Sequence, residues 1–480
     1  LPGCDGTHAM IDTMDLGLLD AAALARLRAA DNAHHLHPFT DHQALRSEGS
    51  RIIVGAKGCY IEDAEGNRIL DGMAGLWCVN VGYGRQELID AAAKQLSALP
   101  YYNSFFKSTT VPAIELAQRL IGHAPAFTNV LFGSSGSESN DTLIRLIRHY
   151  WALEGKPERQ VIIARQNAYH GSTIAAASMG GMKAMHGQLH TALGGFHHIM
   201  APYWYGEGAA DEDLDNFGRR AAGALEEAIL RIGPDKVAAF VGEPVQGAGG
   251  VKIAPPGYWA EIERICRKYA ILLAADEVIT GFGRTGHWFG HQYYGFTPDL
   301  MTVAKGISSG YLPLSAVLVG DRVSKGLIER GGEFYHGYTY SGHPAACAVA
   351  LANMDVIEQE QLVERVRDDI GPAFAAMLRP FASHPLVGEV RTLGLLGAIE
   401  LVADKATRQR FAGDGKVGTR CRDHCFANDF VMRAVGDTMI LSPPLVITHD
   451  DIAAMGERIQ TVLDLTYADT QAGFGALGAA

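Results

Sequence analysis

The sequence predicts an α/β fold, with a large domain on a mostly parallel central sheet joined to a smaller α+β domain. Two observations carry that expectation. From residue 85 to about residue 320, short apolar runs alternate with amphipathic helical periods, the pattern of a parallel sheet covered by helices. After about residue 345 the alternation stops, and one long helical stretch leads into short strands and a further helix. The expected division is an N-terminal segment at 1–75 contributing to the small domain, a large ligand-binding domain at 76–345, a small domain at 346–470 and a flexible tail at 471–480.

Taken in order, residues 12–33 carry an Ala/Leu/Arg helix with Asp15 placed to cap it. His34, His35 and His37 follow in a loop that Pro38 keeps from being helical. Such a cluster invites a metal, but the loop itself lacks carboxylates at suitable spacing, so a structural or substrate-facing role is expected. Short strands at 51–54 and 59–62 belong to hairpins, with Glu65, Gly66 and Asn67 turning between arms. Residues 71–84 mix glycine and aromatics with no period and read as a functional loop. Helices at 85–99 and 112–122 flank the aromatic patch 101–106. The expected sheet strands are 129–132, 161–164, 237–241, 271–275, 300–304 and 315–319, and a helix at 213–232 stops at Gly233 and Pro234. Farther on come a helix at 344–380 broken near Gly371 and Pro372, strands at 387–393 and 397–401, a helix near 417–427 and a strand at 430–432.

The bulk properties exclude several classes. An apolar content of 48% with 20% charged residues suits a chain with a sizeable core. The net charge of −12 argues against nucleic acid or an anionic membrane as partner. Seven cysteines at irregular spacing point to reduced thiols and a cytoplasmic location. Cys421 and Cys425 read as small thiols on a helix, because no second ligand pair follows them, and no metal is expected. No apolar run approaches the roughly 20 residues that cross a bilayer, and no basic-then-apolar leader opens the chain. Leu1 is not an initiating methionine, and whether residues 1–9 are native stays open.

The motifs narrow the chemistry. Residues 272–310 hold an apolar strand ending in Asp276, a glycine loop, a second apolar strand and then Lys305. An acid and a lysine at the ends of neighbouring strands suit a pyridoxal 5'-phosphate (PLP) enzyme, whose carboxylate holds the pyridinium nitrogen and whose amine bonds the cofactor. Any α/β protein has acids and lysines at strand ends, so the pair alone decides nothing. Upstream, a strand runs into Gly133-Ser134-Ser135-Gly136-Ser137 and opens a helix, which is a phosphate site or a plain turn. Tyr169 and His170 follow the strand 161–164, where an aromatic ring stacks on a flat cofactor or packs in the core. Glu243 ends another buried strand and needs a polar partner there. Gly281, Gly283 and Gly286 match a dinucleotide fingerprint, but an aromatic loop follows where a helix should begin, which argues against a dehydrogenase. Hydroxyls and glycines crowd 336–344 ahead of a helix, as a phosphate contact would.

In order, GSSGSE, YHG, EPVQG, ADEV, AKG, YTYSGHP and MRAVGDTMILSPPL closely resemble the class III PLP-dependent aminotransferases, in particular the ω-transaminases that use pyruvate. The likeness runs from about His37 to about Leu465. It implies the PLP-dependent transferase fold type I, with Lys305 carrying the cofactor and moving the substrate proton, and Asp276 paired with the pyridinium nitrogen. It implies Ser135, Gly136 and Ser137 on the phosphate, Tyr169 stacked on the ring, and His170, Glu243 and Val278 close to it. Thr339, with Tyr338 beside it, would reach that phosphate across the interface of a homodimer, alone or within a tetramer. Phe39, Leu76, Trp77, Phe105 and Tyr169 resemble the pocket walls, with Ala248 nearby. Arg433 matches an arginine that binds a carboxylate and swings aside for a plain amine.

The implied reaction moves an amino group from a primary amine or ω-amino acid to pyruvate, giving alanine and an aldehyde or ketone by a ping-pong route. Pyridoxamine 5'-phosphate (PMP) is the cofactor's aminated form, and (S) selectivity follows the same branch. The alternatives are a class III enzyme preferring 2-oxoglutarate and a PLP-dependent decarboxylase of the same fold.

Overall fold

Seven strands form the central sheet: β1 (Phe127–Gly133), β2 (Val161–Arg165), β3 (Phe196–Ile199), β4 (Val237–Gly242), β5 (Leu272–Asp276), β6 (Leu300–Val303) and β7 (Ser315–Gly320). The computed structural model describes residues 20–189, 192–209, 211–413 and 415–474. The spatial order is β1-β7-β6-β5-β4-β2-β3, with β7 antiparallel to both neighbours and the remaining pairs parallel. This is the mixed but mostly parallel sheet that the strand–helix alternation predicts.

Period-two geometry explains the unbroken apolar runs of the central strands. Leu273 and Ala275 pack in one core with Phe217, Leu225, Trp259 and Ile262 from helices Leu214–Ile232 and Tyr258–Lys268. Leu272 and Ala274 face the opposite core with Leu143, Leu146 and Ile147 from helix Gly136–Leu153. Both faces are covered, so both sets of alternate residues must be apolar. Strand β3 escapes the sequence pattern for the converse reason. It is a four-residue edge strand with two histidines, Phe-His-His-Ile, and only Ile199 is buried.

The N-terminal strands Ile53–Lys57, Tyr60–Asp63 and Arg68–Asp71 form an antiparallel meander. Its last strand pairs in parallel with Phe430–Val431, so early and late segments share one sheet. A second four-stranded antiparallel sheet joins Val387–Leu393, Leu396–Leu401, Thr438–Leu441 and Arg433–Val435. The helix predicted at 12–33 is described from Ala21 to His34, where the Asp20 carboxylate caps Ala23 N at 2.7 Å; Asp15 lies outside the described residues.

One expected break is displaced. The helix Pro344–Gln359 ends before Gln361, which takes a left-handed φ of 50°, and not at Gly371 and Pro372. The chain then runs through Leu362–Arg365, a π turn at Val366–Ile370 and Gly371–Leu378. Proline lacks an N–H and crowds the carbonyl four residues back. The wider π turn, closed by Gly371 N on Val366 O, removes that conflict without ending the helix.

Candidate active site

Parallel pairing places Asp276 of β5 opposite Thr302 of β6, so both strands end at the same edge of the sheet. Lys305 follows β6 with a left-handed φ of 47°, an uncommon conformation for a side-chain-bearing residue. It stands half-buried at a cavity wall, its Nζ 5.9 Å from the Trp77 ring centroid. Among the described residues Lys305 has no ion-pair or hydrogen-bond partner. Burial pushes its pKa down, which favours the neutral amine.

The Asp276 carboxylate is set firmly. Its Oδ2 lies 2.7 Å from His170 Nδ1 and accepts Asn140 Nδ2 at 2.8 Å, while Oδ1 accepts the Val278 amide at 3.1 Å. Burial alone would raise its pKa, but His170, Asn140 and the Val278 amide outweigh burial and hold it below the usual carboxylate range. Asn140 also donates to the His170 carbonyl at 2.7 Å, tying helix Gly136–Leu153 to the loop after β2.

Glu243 follows β4 and finds the partners that its burial demands. Its two carboxylate oxygens accept the Tyr169 amide at 3.2 Å and the Gly247 amide at 2.9 Å. Its own carbonyl accepts the buried Arg165 guanidinium. Burial pushes its pKa up.

The Gly/Ser loop after β1 makes the opposite wall. Ser135 caps the helix by accepting Glu138 N at 3.2 Å, and the first helical amides, on Gly136 and Ser137, have no carbonyl within the helix to bond. A Cβ on Gly136 would stand 3.2 Å from both Val278 methyl carbons, a tighter approach than a side chain normally makes. Ser137 Oγ accepts the Ser172 amide at 3.0 Å. Together these groups enclose a cavity of about 300 Å³ lined by Ser135, Ser137, Tyr169, Asp276, Val278 and Lys305.

Next to the lining residue Tyr169, Phe39 stands edge-on with ring centroids 6.4 Å apart, and the Arg433 guanidinium lies 5.1 Å from the Trp77 ring. Burial lowers the pKa of Arg433. Ala248 is buried in the apolar cluster that holds Trp77 and Ile279, with Tyr169 packed against it. Leu76 beside Trp77 is 53% exposed.

Phe39, Leu76, Trp77, Ala248 and Arg433 do not line this cavity themselves, and Phe105, Tyr338 and Thr339 are not brought to it at all. Phe105 and Tyr338 line a second cavity of about 450 Å³ with Thr142 and His336, and the Tyr338 hydroxyl donates to the Glu138 carbonyl at 3.2 Å. The Thr339 carbonyl accepts the Tyr101 hydroxyl at 2.7 Å. Conversely, Asn140 was legible only as part of a helix, since nothing local says that its amide reaches across to Asp276. Cys78, read as one scattered thiol among seven, lines the first cavity. The glycines at 281–286 serve close packing: Gly283 abuts Leu445 and Gly286 abuts Arg367, while the buried Arg284 donates to Asn80 at 2.7 Å. The expectation that the histidine loop lacks a carboxylate is corrected, because Asp31 of the preceding helix lies against His35 and His37.

An anionic carboxylate below a ring-sized cavity, an unpaired low-pKa amine beside it and a small-residue helix start opposite fit PLP, with donors for a phosphate and an acceptor for a ring N–H. His170 Nε2 and Asn140 Oδ1 are buried without protein partners, as a polar site that is not closed by the protein alone would leave them. Fold and site thus define a PLP-dependent transferase of fold type I.

The family profile described as Aminotransferase class-III matches residues 44–463. The putrescine–pyruvate aminotransferase of Pseudomonas aeruginosa is 53% identical over 442 residues, covering 92% of this chain and 96% of that protein. An (S)-enantioselective ω-transaminase from Thermomicrobium roseum superposes with a TM-score of 0.89 at 44% identity, over 92% of this chain and 98% of that one. The ω-transaminase of Pseudomonas jessenii, solved in complex with PMP, gives 0.91 at 39% identity, over 93% and 99%. The chain belongs to the class III aminotransferases, enzymes that use PLP.

Proposed function

We propose that this aminotransferase moves the amino group of a primary amine, with short diamines in first place, to pyruvate, releasing alanine and an aldehyde or ketone. The observation that carries the reading is the unpaired Lys305 amine beside the thrice-bonded Asp276 carboxylate at adjoining strand ends. The 53% identity to a putrescine–pyruvate enzyme over nearly the whole chain supports the choice of substrates.

When bound, PLP supplies an electron sink for the charge left on the substrate carbon as its proton departs. Asp276, kept anionic by its three hydrogen bonds, would hold the proton of the ring nitrogen in place. Lys305, whose burial favours the neutral amine, would take and return the substrate proton in both half-reactions. Ser135, Gly136 and Ser137 would bind the phosphate through the helix start, Tyr169 would cover the ring, and the buried Trp77, 5.9 Å from the Lys305 amine, would keep water from the reacting carbon. Arg433 receives the pyruvate carboxylate and turns aside for an uncharged donor tail.

Tyr338, Thr339 and Phe105 stand away from their own chain's cavity, which supports a homodimer in which they complete the other subunit's site. The exposed rings of Phe106, Tyr335 and Tyr340 near them fit burial in such an interface. The net charge of −12 and free thiols support a cytoplasmic setting. No helix among the described residues is long and apolar enough to cross a membrane.

The test is a donor panel of diamines, ω-amino acids and aryl-alkyl amines against pyruvate and 2-oxoglutarate. Stoichiometric alanine from amine and pyruvate, without CO₂, is expected. A clear preference for 2-oxoglutarate, or release of CO₂, would overturn the substrate assignment.

A further inference from the structure

The histidine loop carries chemistry that transamination does not use. Asp31 sits in the last turn of helix Ala21–His34, and helical spacing puts the capping residue, His35, on the same face four positions on. The chain then leaves the helix extended, His35 having φ −112° and ψ 122°, and the two-residue period of an extended chain returns His37 to that side. Leu36 points the other way and is 76% exposed. The result is a convergence of donors: His35 Nδ1 lies 3.0 Å and His37 Nε2 2.9 Å from Asp31 Oδ1, with the two rings 4.3 Å apart.

We propose that Asp31, His35 and His37 form a binding site for a divalent transition-metal ion of the zinc type, with a coordination position left for water. The three ligand atoms all lie within 4.8 Å of one another. Two imidazoles and one carboxylate suit zinc, cobalt or nickel, whereas calcium and magnesium demand more oxygens. Ligands about 2.0–2.1 Å from a tetrahedral ion stand about 3.3 Å apart. The two histidine spacings to Asp31 Oδ1 are a few tenths of an ångström shorter, as expected of groups that hydrogen-bond when no ion separates them. Asp31 and His37 are mostly buried, with side-chain exposures of 18% and 25%, and so hold two donors in place. His35, at 63%, has room to rotate outward and admit the ion.

The location gives the ion a consequence. Phe39, two residues after His37, has a left-handed φ of 50° and stands edge-on to Tyr169, which lines the cavity. A metal joining the helix to this loop ties down the base of the Phe39 segment. Its kinetic effect therefore falls on the KM of the amine and not on kcat, a link that rests on the substrate pocket proposed above.

Untagged holoenzyme, stripped of metal by dialysis against a chelator, would be titrated with Co²⁺ and Zn²⁺ by calorimetry and visible absorption. One saturable equivalent is expected, weakened at least about tenfold in Asp31→Ala and in His37→Gln, the latter keeping a hydrogen bond to Asp31 but no imidazole nitrogen. Equal affinity in wild type and both variants, or no saturable binding in wild type, overturns the site. Binding that depends on Asp31 but leaves the amine KM unchanged overturns the link to the pocket. Both readouts are independent of whether pyruvate is the acceptor.

Discussion

Two buried polar clusters in this molecule are finished differently. At Arg391 the guanidinium is matched: it bonds Glu389, Glu400 at 3.0 Å, and the carbonyls of Val251 at 3.2 Å and Gly250 at 2.9 Å. Glu400 also accepts the Thr438 hydroxyl at 3.0 Å and faces Arg410 at 3.8 Å, which in turn reaches the Tyr203 hydroxyl at 3.1 Å. Around Lys305 the matching stops short. Its amine has no partner among the described residues, and buried atoms of His170 and Asn140 are left over. A closed network holds elements together, whereas one with valence to spare is built for something the chain does not supply. Completeness alone does not separate the two clusters, since the Tyr205 hydroxyl near Glu400 is also left over; what separates them is that Lys305, His170 and Asn140 all line one cavity.

The sharpest test is Lys305→Ala. It should keep the cofactor, since the helix start and Asp276 remain, yet lose turnover by at least about a thousandfold. Absorbance of the bound cofactor and alanine formation would be read together, and near-normal turnover would sink the role given to the open cluster. The closed cluster should answer in stability. Glu400→Gln removes a charge from the buried Arg391 and should cost about 3 kcal/mol in urea unfolding while kcat/KM holds in the folded fraction. A shift below about 1 kcal/mol would mean that the network is slack.

The smallest effect depends on pH. Burial, together with the nearby Arg391, pushes the Lys252 ammonium down to about 8. The unfolded value is near 10.4, so between these pH values the folded chain binds fewer protons than the unfolded one and stability rises with pH. Lys252→Met should therefore be more stable than wild type by roughly 1–2 kcal/mol at pH 7, with the gap closing as pH rises through 8 toward 10.4. Thermal unfolding of both proteins across that range checks it, and a gap that widens with pH would reverse the sign of the argument.

Much of the fold was legible because its signals are local. Strands β4, β5 and β7 are unbroken apolar runs, and a Gly-Pro stop closes helix Leu214–Ile232. Strand β3 and the uninterrupted helix across Pro372 were not legible. An edge strand needs little burial, and a π turn can absorb a proline that sequence rules treat as a break.

By itself the sequence determined that Asp276 and Lys305 close two apolar strands and that a glycine and serine loop opens a helix. Those facts follow from periodicity and turn chemistry over a few residues. Only the tertiary structure decided that Asn140 and His170 converge on one oxygen of Asp276 and that Phe105 and Tyr338 share a separate cavity. The physical reason is that strand order and the packing of helices from distant parts of the chain set these meetings. Neither is written in the spacing of the residues that meet.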